Sequence, residues 1–281
     1  MNRRRGLTRR AWVRVALVTS IMLLLAGRWL AIDQVERWWA ESLGVIATHE
    51  AIARLRLGLF ALARAVAAVW CTGNLLLIYR SIGSVQVPRR LGNLEFVEAV
   101  PRRYLLWGTV GLGLATALVL SQGARDWWDE FALLGANGGE SLRDPVLQRD
   151  VGYYLFSLPW QRAVQRFFLA LTAVVALLTI LLYGAVGALQ WSGRRLIVSE
   201  VARAHLAGVL AAFAIALFFG FRLDPAEYVA GLHGVPYDTV LVGVRIPVAG
   251  ALATLALIVA LASLGWVWVD RVALVALPWI G

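Results

Sequence analysis

The residues best suited to chemistry are carboxylates gathered ahead of a long apolar segment. Asp144-Pro145-Val146-Leu147-Gln148-Arg149-Asp150-Val151-Gly152-Tyr153-Tyr154-Leu155-Phe156-Ser157-Leu158-Pro159 is the one long polar and aromatic passage that carries a distinctive word. Asp144 and Asp150, joined by Asp126, Asp129 or Asp238, would offer oxygen ligands to a hard cation such as Ca²⁺. Their spacing matches no known loop geometry for that ion. The competing reading is structural. Proline fixes its own φ and biases the preceding residue away from helix, so Asp144-Pro145 starts a turn. Asp150 would cap a short segment, and Tyr153, Tyr154, Phe156, Leu158 and Trp160 would lie at a bilayer surface. Pro159 would lead into the next helix.

A second group lies inside an apolar run. Arg64, Cys71 and Asn74 fall on roughly one side of a helix. Polar residues in such a run face other helices or a cavity, so they mark either interhelical bonds or a substrate pathway. Arg64 snorkelling beside Arg54 and Arg56, with Asn74 making one interhelical hydrogen bond, is the simpler reading. Cys71 is the only cysteine, which excludes a disulfide within the chain. Its default role is that of a small buried hydrophobe. His49, His205 and His233 are scattered and form no metal-site pattern. His205, beside Arg203 at the start of an apolar run, is expected to contact headgroups or a helix end. No Gly-rich phosphate loop, nucleophile elbow or Cys/His cluster is present, so no cofactor is implied.

The elements that must position these groups are set by composition. Sixty per cent of the 281 residues are hydrophobic and only 16% charged, with a mean hydropathy of +0.71. A water-soluble domain of this size carries about 25% charged residues, so the lipid bilayer is the natural solvent. The net charge of +10 comes entirely from arginine. Those arginines flank apolar runs instead of forming one stripe, which argues against nucleic acid as a partner. Six runs have the ~20 residues a helix needs to cross hydrocarbon: 15–32, 57–79, 104–121, 167–191, 206–221 and 246–269. The expected fold is thus an all-α integral membrane bundle, with residues 1–14 as an Arg-rich tail and 270–281 as an apolar stub. The run 15–32 offers no good cleavage site and reads as an uncleaved first span. Small residues recur every four positions along the third run (Thr109, Gly113, Ala117, Ser121) and the fifth (Ala204, Gly208, Ala212, Ala216, Gly220), as packing stripes would. Arginine crowds the tail, Arg80–Arg103 and Gly193–Arg203, while loops 33–56, 122–166 and 222–245 hold most acids. The positive-inside rule then puts the amino terminus in the cytoplasm of a multi-pass cell-membrane protein, with the acidic motif outside.

The word Tyr154-Leu155-Phe156-Ser157-Leu158-Pro159 after Asp144-Pro145 and Asp150 resembles the bacterial membrane proteins grouped as uncharacterised protein family 0182. Ala202-Arg203-Ala204-His205-Leu206, Leu223-Asp224 with Tyr228, Tyr237-Asp238-Thr239-Val240 and Arg245-Ile246-Pro247 extend the likeness over most of Trp38–Val269. This chain departs from the family in its Tyr237-Asp238-Thr239 order, where the family often has Tyr-Thr-Asp. The resemblance implies about seven spans followed by a large extracytoplasmic domain. On that comparison the chain reads as a truncated or split member, with the 270–281 stub as part of a seventh span. The family has no assigned activity, so topology is implied and mechanism is not.

Three function classes follow. The leading one is a structural module that anchors or assembles with envelope proteins or with a second copy. The next is a transporter or channel subunit working through Arg64 and Asn74. The last is a metal-dependent envelope enzyme built on the outer acids. Candidate residues are Arg64, Asn74, Asp144, Pro145, Asp150, Tyr153, Tyr154, Phe156, Pro159, His205, Asp224, Tyr237 and Asp238.

Overall fold

The apolar runs become helices, and several helix ends fall at a glycine or a proline. A computed structural model describes residues 9–81, 86–91, 94–99, 101–134, 142–192, 195–232, 234, 238–269 and 279. His233, Tyr237, residues 1–8 and most of the 270–281 stub lie outside the described residues. Seven α-helices follow in order: α1 Arg9–Ser42, α2 Ile46–Ser81, α3 Arg102–Leu120, α4 Trp127–Leu133, α5 Leu158–Ala185, α6 Glu200–Val229 and α7 Ile246–Gly265. Six of the helices are long and apolar enough to cross a membrane. The chain is therefore an α-helical membrane protein. Among the described residues there are also two short antiparallel hairpins: β1 Gln86–Leu91 with β2 Leu94–Ala99, and β3 Leu189–Ser192 with β4 Arg195–Val198.

The helices overrun the expected spans. Residues 33–56, expected as a polar loop, are helical except for the turn at 43–45. The fourth span begins well before Phe167 and ends before Trp191, which sits in β3. The fifth runs through Asp224-Pro225, expected in a loop, and stops only at Val229. Polar residues did not end these helices because each found a partner or remained at an exposed end.

Three helix ends share one device. Gly44, Gly187 and Gly231 take φ near +70°, where a Cβ would be strained. In each, the glycine N–H and the next N–H bond back across the last turn: Gly44 to Glu41 and Val45 to Ala40; Gly187 to Gly184 and Ala188 to Tyr183; Gly231 to Tyr228 and Leu232 to Glu227. These are Schellman caps, which satisfy carbonyls the helix leaves open. At the other end, Ser199 caps α6 by accepting from the Ala202 N–H.

Two helices start alike. A wide π-turn at Tyr153–Ser157 leads into α5 at Leu158-Pro159, and another at Leu241–Arg245 leads into α7 at Ile246-Pro247. Proline cannot donate, and its ring collides with the carbonyl of a tight preceding turn. The extra residue in the turn relieves that collision. An aspartate caps each: Asp150 accepts from the Gly152 N–H (2.6 Å) and Asp238 from the Leu241 N–H (2.9 Å).

The chain divides into units 1–55 and 56–281. In the first, the end of α1 and the start of α2 flank a groove of about 410 Å³ that includes Trp39 and His49. In the second, α5 packs on α6 and α6 on α7. Ala63, Ala67 and Cys71 of α2 meet Leu171, Val175 and Ala176 of α5 and Val209 of α6 in a buried cluster. Cys71 is fully buried there, as a small hydrophobe. The third-run stripe packs against α2: a Cβ on Gly113 would lie 2.8 Å from the Thr72 Cα, so only glycine permits that approach. The fifth-run stripe packs only at its Ala216–Gly220 end, while Ala204 and Gly208 are exposed. A four-residue step drifts about 40° per repeat on a helix of 3.6 residues per turn, so a stripe of five members ends up on two faces. Over the start of α5, Trp127 and Phe131 of α4 meet Trp160 and Phe167 edge-on at 5.1 to 5.8 Å.

Candidate functional site

The Asp144 motif folds into a knot around its own carboxylate. One oxygen of Asp144 accepts from the Val146 and Leu147 N–H groups (2.8 and 2.6 Å). The other accepts from the Arg149 N–H (2.9 Å) and the Tyr154 hydroxyl (2.6 Å). Pro145 occupies the turn that these bonds close, and Gln148 completes it at φ 56°, a left-handed conformation that costs about 1–2 kcal/mol outside glycine. Burial pushes the Asp144 carboxyl up, but the Tyr154 hydroxyl and the three amides outweigh it and hold the carboxyl below its usual range. With four donors on two oxygens, Asp144 has little left for a cation. Asp150 spends an oxygen on its cap, and its backbone pairs with Arg143. The Tyr153 hydroxyl donates to Gln161 (3.0 Å), and the Arg149 guanidinium lies over the Tyr153 ring at 4.2 Å. Phe156 and Pro159 are half-buried beside the buried Leu158. Asp126 and Asp129 are exposed and Asp238 caps a different helix. Among the described residues no three His, Cys, Asp or Glu side chains come together as a metal ion requires.

The strongest concentration of charge lies just beyond this knot, between α5 and α6. Arg162, one turn into α5, is buried and spends its fork on four acceptors. Its Nε donates to Glu227 (2.6 Å) and its Nη2 to Asp224 (2.7 Å). Its Nη1 donates to the Gln165 side chain (3.2 Å) and the Gly220 carbonyl (3.4 Å). Gln165 passes the network on by donating to the Ala216 carbonyl (3.0 Å). Arg166 stands 3.7 Å from Glu227. A Cβ on Gly220 would lie 2.7 Å from the Gln165 amide nitrogen, so a larger residue there would displace that side chain from the network. A buried guanidinium facing two carboxylates and two carbonyl-type oxygens is a fixed joint, with no open valence for a reacting group.

A second, uncharged network ties the opposite end of the same pair. The Asn74 amide donates to the Trp70 carbonyl (2.8 Å), which turns its oxygen toward His205 Nε2 (3.0 Å). Nε2 must then carry the proton, and Nδ1 accepts from the buried Tyr183 hydroxyl (3.0 Å). The network joins α2, α5 and α6. His205 thus faces helices and not headgroups, because α6 starts at Glu200 and has already completed a turn by that residue. Arg64 goes elsewhere: its guanidinium covers the Phe60 ring at 4.1 Å and donates to Ser121 (3.4 Å), which is fully buried at the end of α3. Arg64, Cys71 and Asn74 lie on roughly one side of the continuous helix α2 but serve separate contacts: Cys71 is in its buried line, while Arg64 and Asn74 bond to different partners.

Arg162, Gln165, Glu227 and Tyr183 were missed by the sequence reading. The signal for the first two was Pro159: proline favours the first helical turn, so starting the helix there puts Arg162, Gln165 and Arg166 on its first turns. Asp224 and Glu227 share a helix face three residues apart, which the intervening Pro225 concealed.

The family described as Uncharacterised protein family (UPF0182) matches residues 13–280. A UPF0182 protein of Kineococcus radiotolerans is 29% identical over 245 residues, covering 82% of this chain and 24% of the relative. One of Mycobacterium tuberculosis is 27% identical over 233 residues, covering 81% and 23%. One of Trichlorobacter lovleyi is 30% identical over 148 residues, covering 53% and 16%. The chain thus spans about a quarter or less of the length of these relatives. No solved structure matches it. Residues 13–280 include both polar networks and the Asp144 knot, and the chain belongs to the Uncharacterised protein family (UPF0182).

Proposed function

We propose that this chain is a structural module of the cell membrane, with its amino terminus in the cytoplasm, that assembles with envelope proteins or with further copies of itself. One observation carries this reading: Arg64, Asn74, Arg162 and His205, the residues of the two polar networks and of the second span, bond from one helix to another. Arg162 joins α5 to α6, Asn74 and His205 join α2 to α6, and Arg64 joins α2 to α3. A pathway for ions or solutes needs polar groups left for the passenger, and the second-span residues that suggested one are already engaged. Of the outer acids, Asp150 and Asp238 are taken up by caps, Asp144 by its own turn and Asp224 by Arg162, which weighs against a metal-dependent enzyme.

Replacing Arg64 with alanine tests the reading. Reduced abundance of the chain in membranes supports a packing role. Normal abundance with loss of a solute flux in reconstituted vesicles would overturn it in favour of transport. The orientation is tested by single cysteines in a Cys71→Ala background. Labelling from outside intact cells at Ser141 but not at Ser192 is the expected pattern, and the reverse would invert the topology.

A further inference from the structure

A long groove of about 660 Å³ runs along α5 and α6, with Trp70 of α2 closing one side. That volume is in the range of small-molecule sites, about 300–1,000 Å³. α5 contributes residues from Trp160 to Thr172 and α6 from Ala212 to Leu223. At 1.5 Å per residue the α5 wall is about 18 Å long. One leaflet of hydrocarbon is about 15 Å deep, half of the ~30 Å core. The groove therefore reaches from one membrane face to about mid-bilayer. Its walls are apolar, and Phe168, Ile215 and Phe219 remain more than a third exposed.

Charge is confined to one end. The Arg162–Asp224 and Tyr183–His205 contacts make α5 and α6 antiparallel, so Trp160 and Gln161 lie level with Arg222 and Leu223. Arg222 is exposed and makes no hydrogen bond or ion pair among the described residues. The acids nearest to it in sequence on α6, Asp224 and Glu227, are both committed to Arg162. At the deep end, the Thr172 hydroxyl is turned back onto its own helix, donating to the Phe168 carbonyl (2.7 Å). The groove thus pairs an uncompensated cation at the surface with an apolar channel one leaflet long. That is the shape and charge of an anionic lipid.

We propose that this groove binds one anionic phospholipid of the bilayer, its acyl chain between α5 and α6 and its phosphate on Arg222 with Gln161 beside it. The groove borders both polar networks, through Gln165 and Trp70, but its headgroup contacts are Arg222 and Gln161, and it does not rest on the assembly role.

The test is native mass spectrometry on the full chain purified in detergent. Phosphatidylglycerol and phosphatidylcholine with identical acyl chains are added separately. One phosphatidylglycerol per chain should be retained, about fivefold more tightly than phosphatidylcholine, as expected of one basic residue at an anionic headgroup. Arg222→Ala should remove the preference and leave phosphatidylcholine binding unchanged, while Arg222→Lys keeps it. Arg222 is exposed, so these variants leave the fold intact. Ala212→Phe, checked for unaltered helicity and elution volume, should weaken both lipids by filling the channel. Equal retention of the two lipids by the unaltered chain would overturn the proposal. So would a preference that survives Arg222→Ala, or retention that Ala212→Phe leaves untouched.

Discussion

At the Pro159 end of the α5–α6 pair a guanidinium sits between two carboxylates; at the Tyr183 end a neutral imidazole sits between a phenol and a carboxamide. Arg162 and Tyr183 are separated by about 32 Å of helix at 1.5 Å per residue, close to the ~30 Å thickness of hydrocarbon. Each network therefore lies near one face of the bilayer. The charged end carries the greater risk. A buried ion pair contributes little net stability, yet losing one partner strands a charge in low dielectric. The neutral end gains less and loses less, since each of its bonds is an ordinary one. Helix dipoles add to the contrast: Arg162 lies beside the C-terminal part of α6, and Glu227 beside the first turns of α5, each where the neighbouring helix favours its sign.

The largest expected effect is at the charged end. Arg162→Ala strands Glu227 and Asp224 and should cost about 3–5 kcal/mol, read as a lower midpoint in thermal unfolding in detergent and lower abundance in membranes. His205→Ala should cost less, about 1–3 kcal/mol, by leaving Asn74 and Tyr183 without their shared partner. The two losses should add, because sites so far apart with no shared partner do not couple. A cost for His205→Ala equal to that of Arg162→Ala would erase the distinction between the ends.

Smaller effects come from the segments ahead of α5. Asp144 has a folded pKa below its ordinary value of 3.8, so its stabilisation is present above that value and is lost as pH falls through the folded pKa. Asp144→Asn should lower stability at neutral pH and flatten the acid limb of a stability profile, through the weakened bonds from Tyr154 and three amides. Glu130 behaves oppositely. Burial, then its contact with Asp129, pushes its carboxyl up to about 7. The folded chain therefore holds a proton there that the unfolded chain releases, and stability should fall as pH rises from about 4.5 to about 7. Glu130→Gln should remove that decline, seen as a flatter unfolding midpoint across the window.

Much of the fold was legible because hydrocarbon permits few solutions. Six apolar runs gave six long helices, and the Tyr154-Leu155-Phe156-Ser157-Leu158-Pro159 word led to the family. Helix ends were less legible. Hydropathy averages over a window, so it cut α5 at Phe167 and α6 at Phe221 where arginine and aspartate dilute the apolar run. Arg162, Asp224 and Glu227 are among those diluting residues and pair across the interface, so the Arg162 network was hidden by the same signal that located the spans. Asp144 and Asp150 looked like cation ligands because carboxylates that cap turns and carboxylates that bind ions have the same sequence. Asn74 and His205 were each noticeable, but nothing in the sequence spacing of 131 residues connected them.

The central claim is that Arg162 and the α6 acids form one joint that holds α5 to α6. It is tested most directly by comparing Arg162→Ala, Glu227→Ala and the double variant Arg162→Ala/Glu227→Ala in thermal unfolding of the full chain. Glu227 should become a liability once Arg162 is gone, since it is buried and its remaining cation, Arg166, is exposed at 3.7 Å. The double variant is predicted to unfold at a higher temperature than Arg162→Ala alone. A double variant that is less stable by the sum of the two single losses would show that Arg162 and Glu227 act separately, and would contradict the joint.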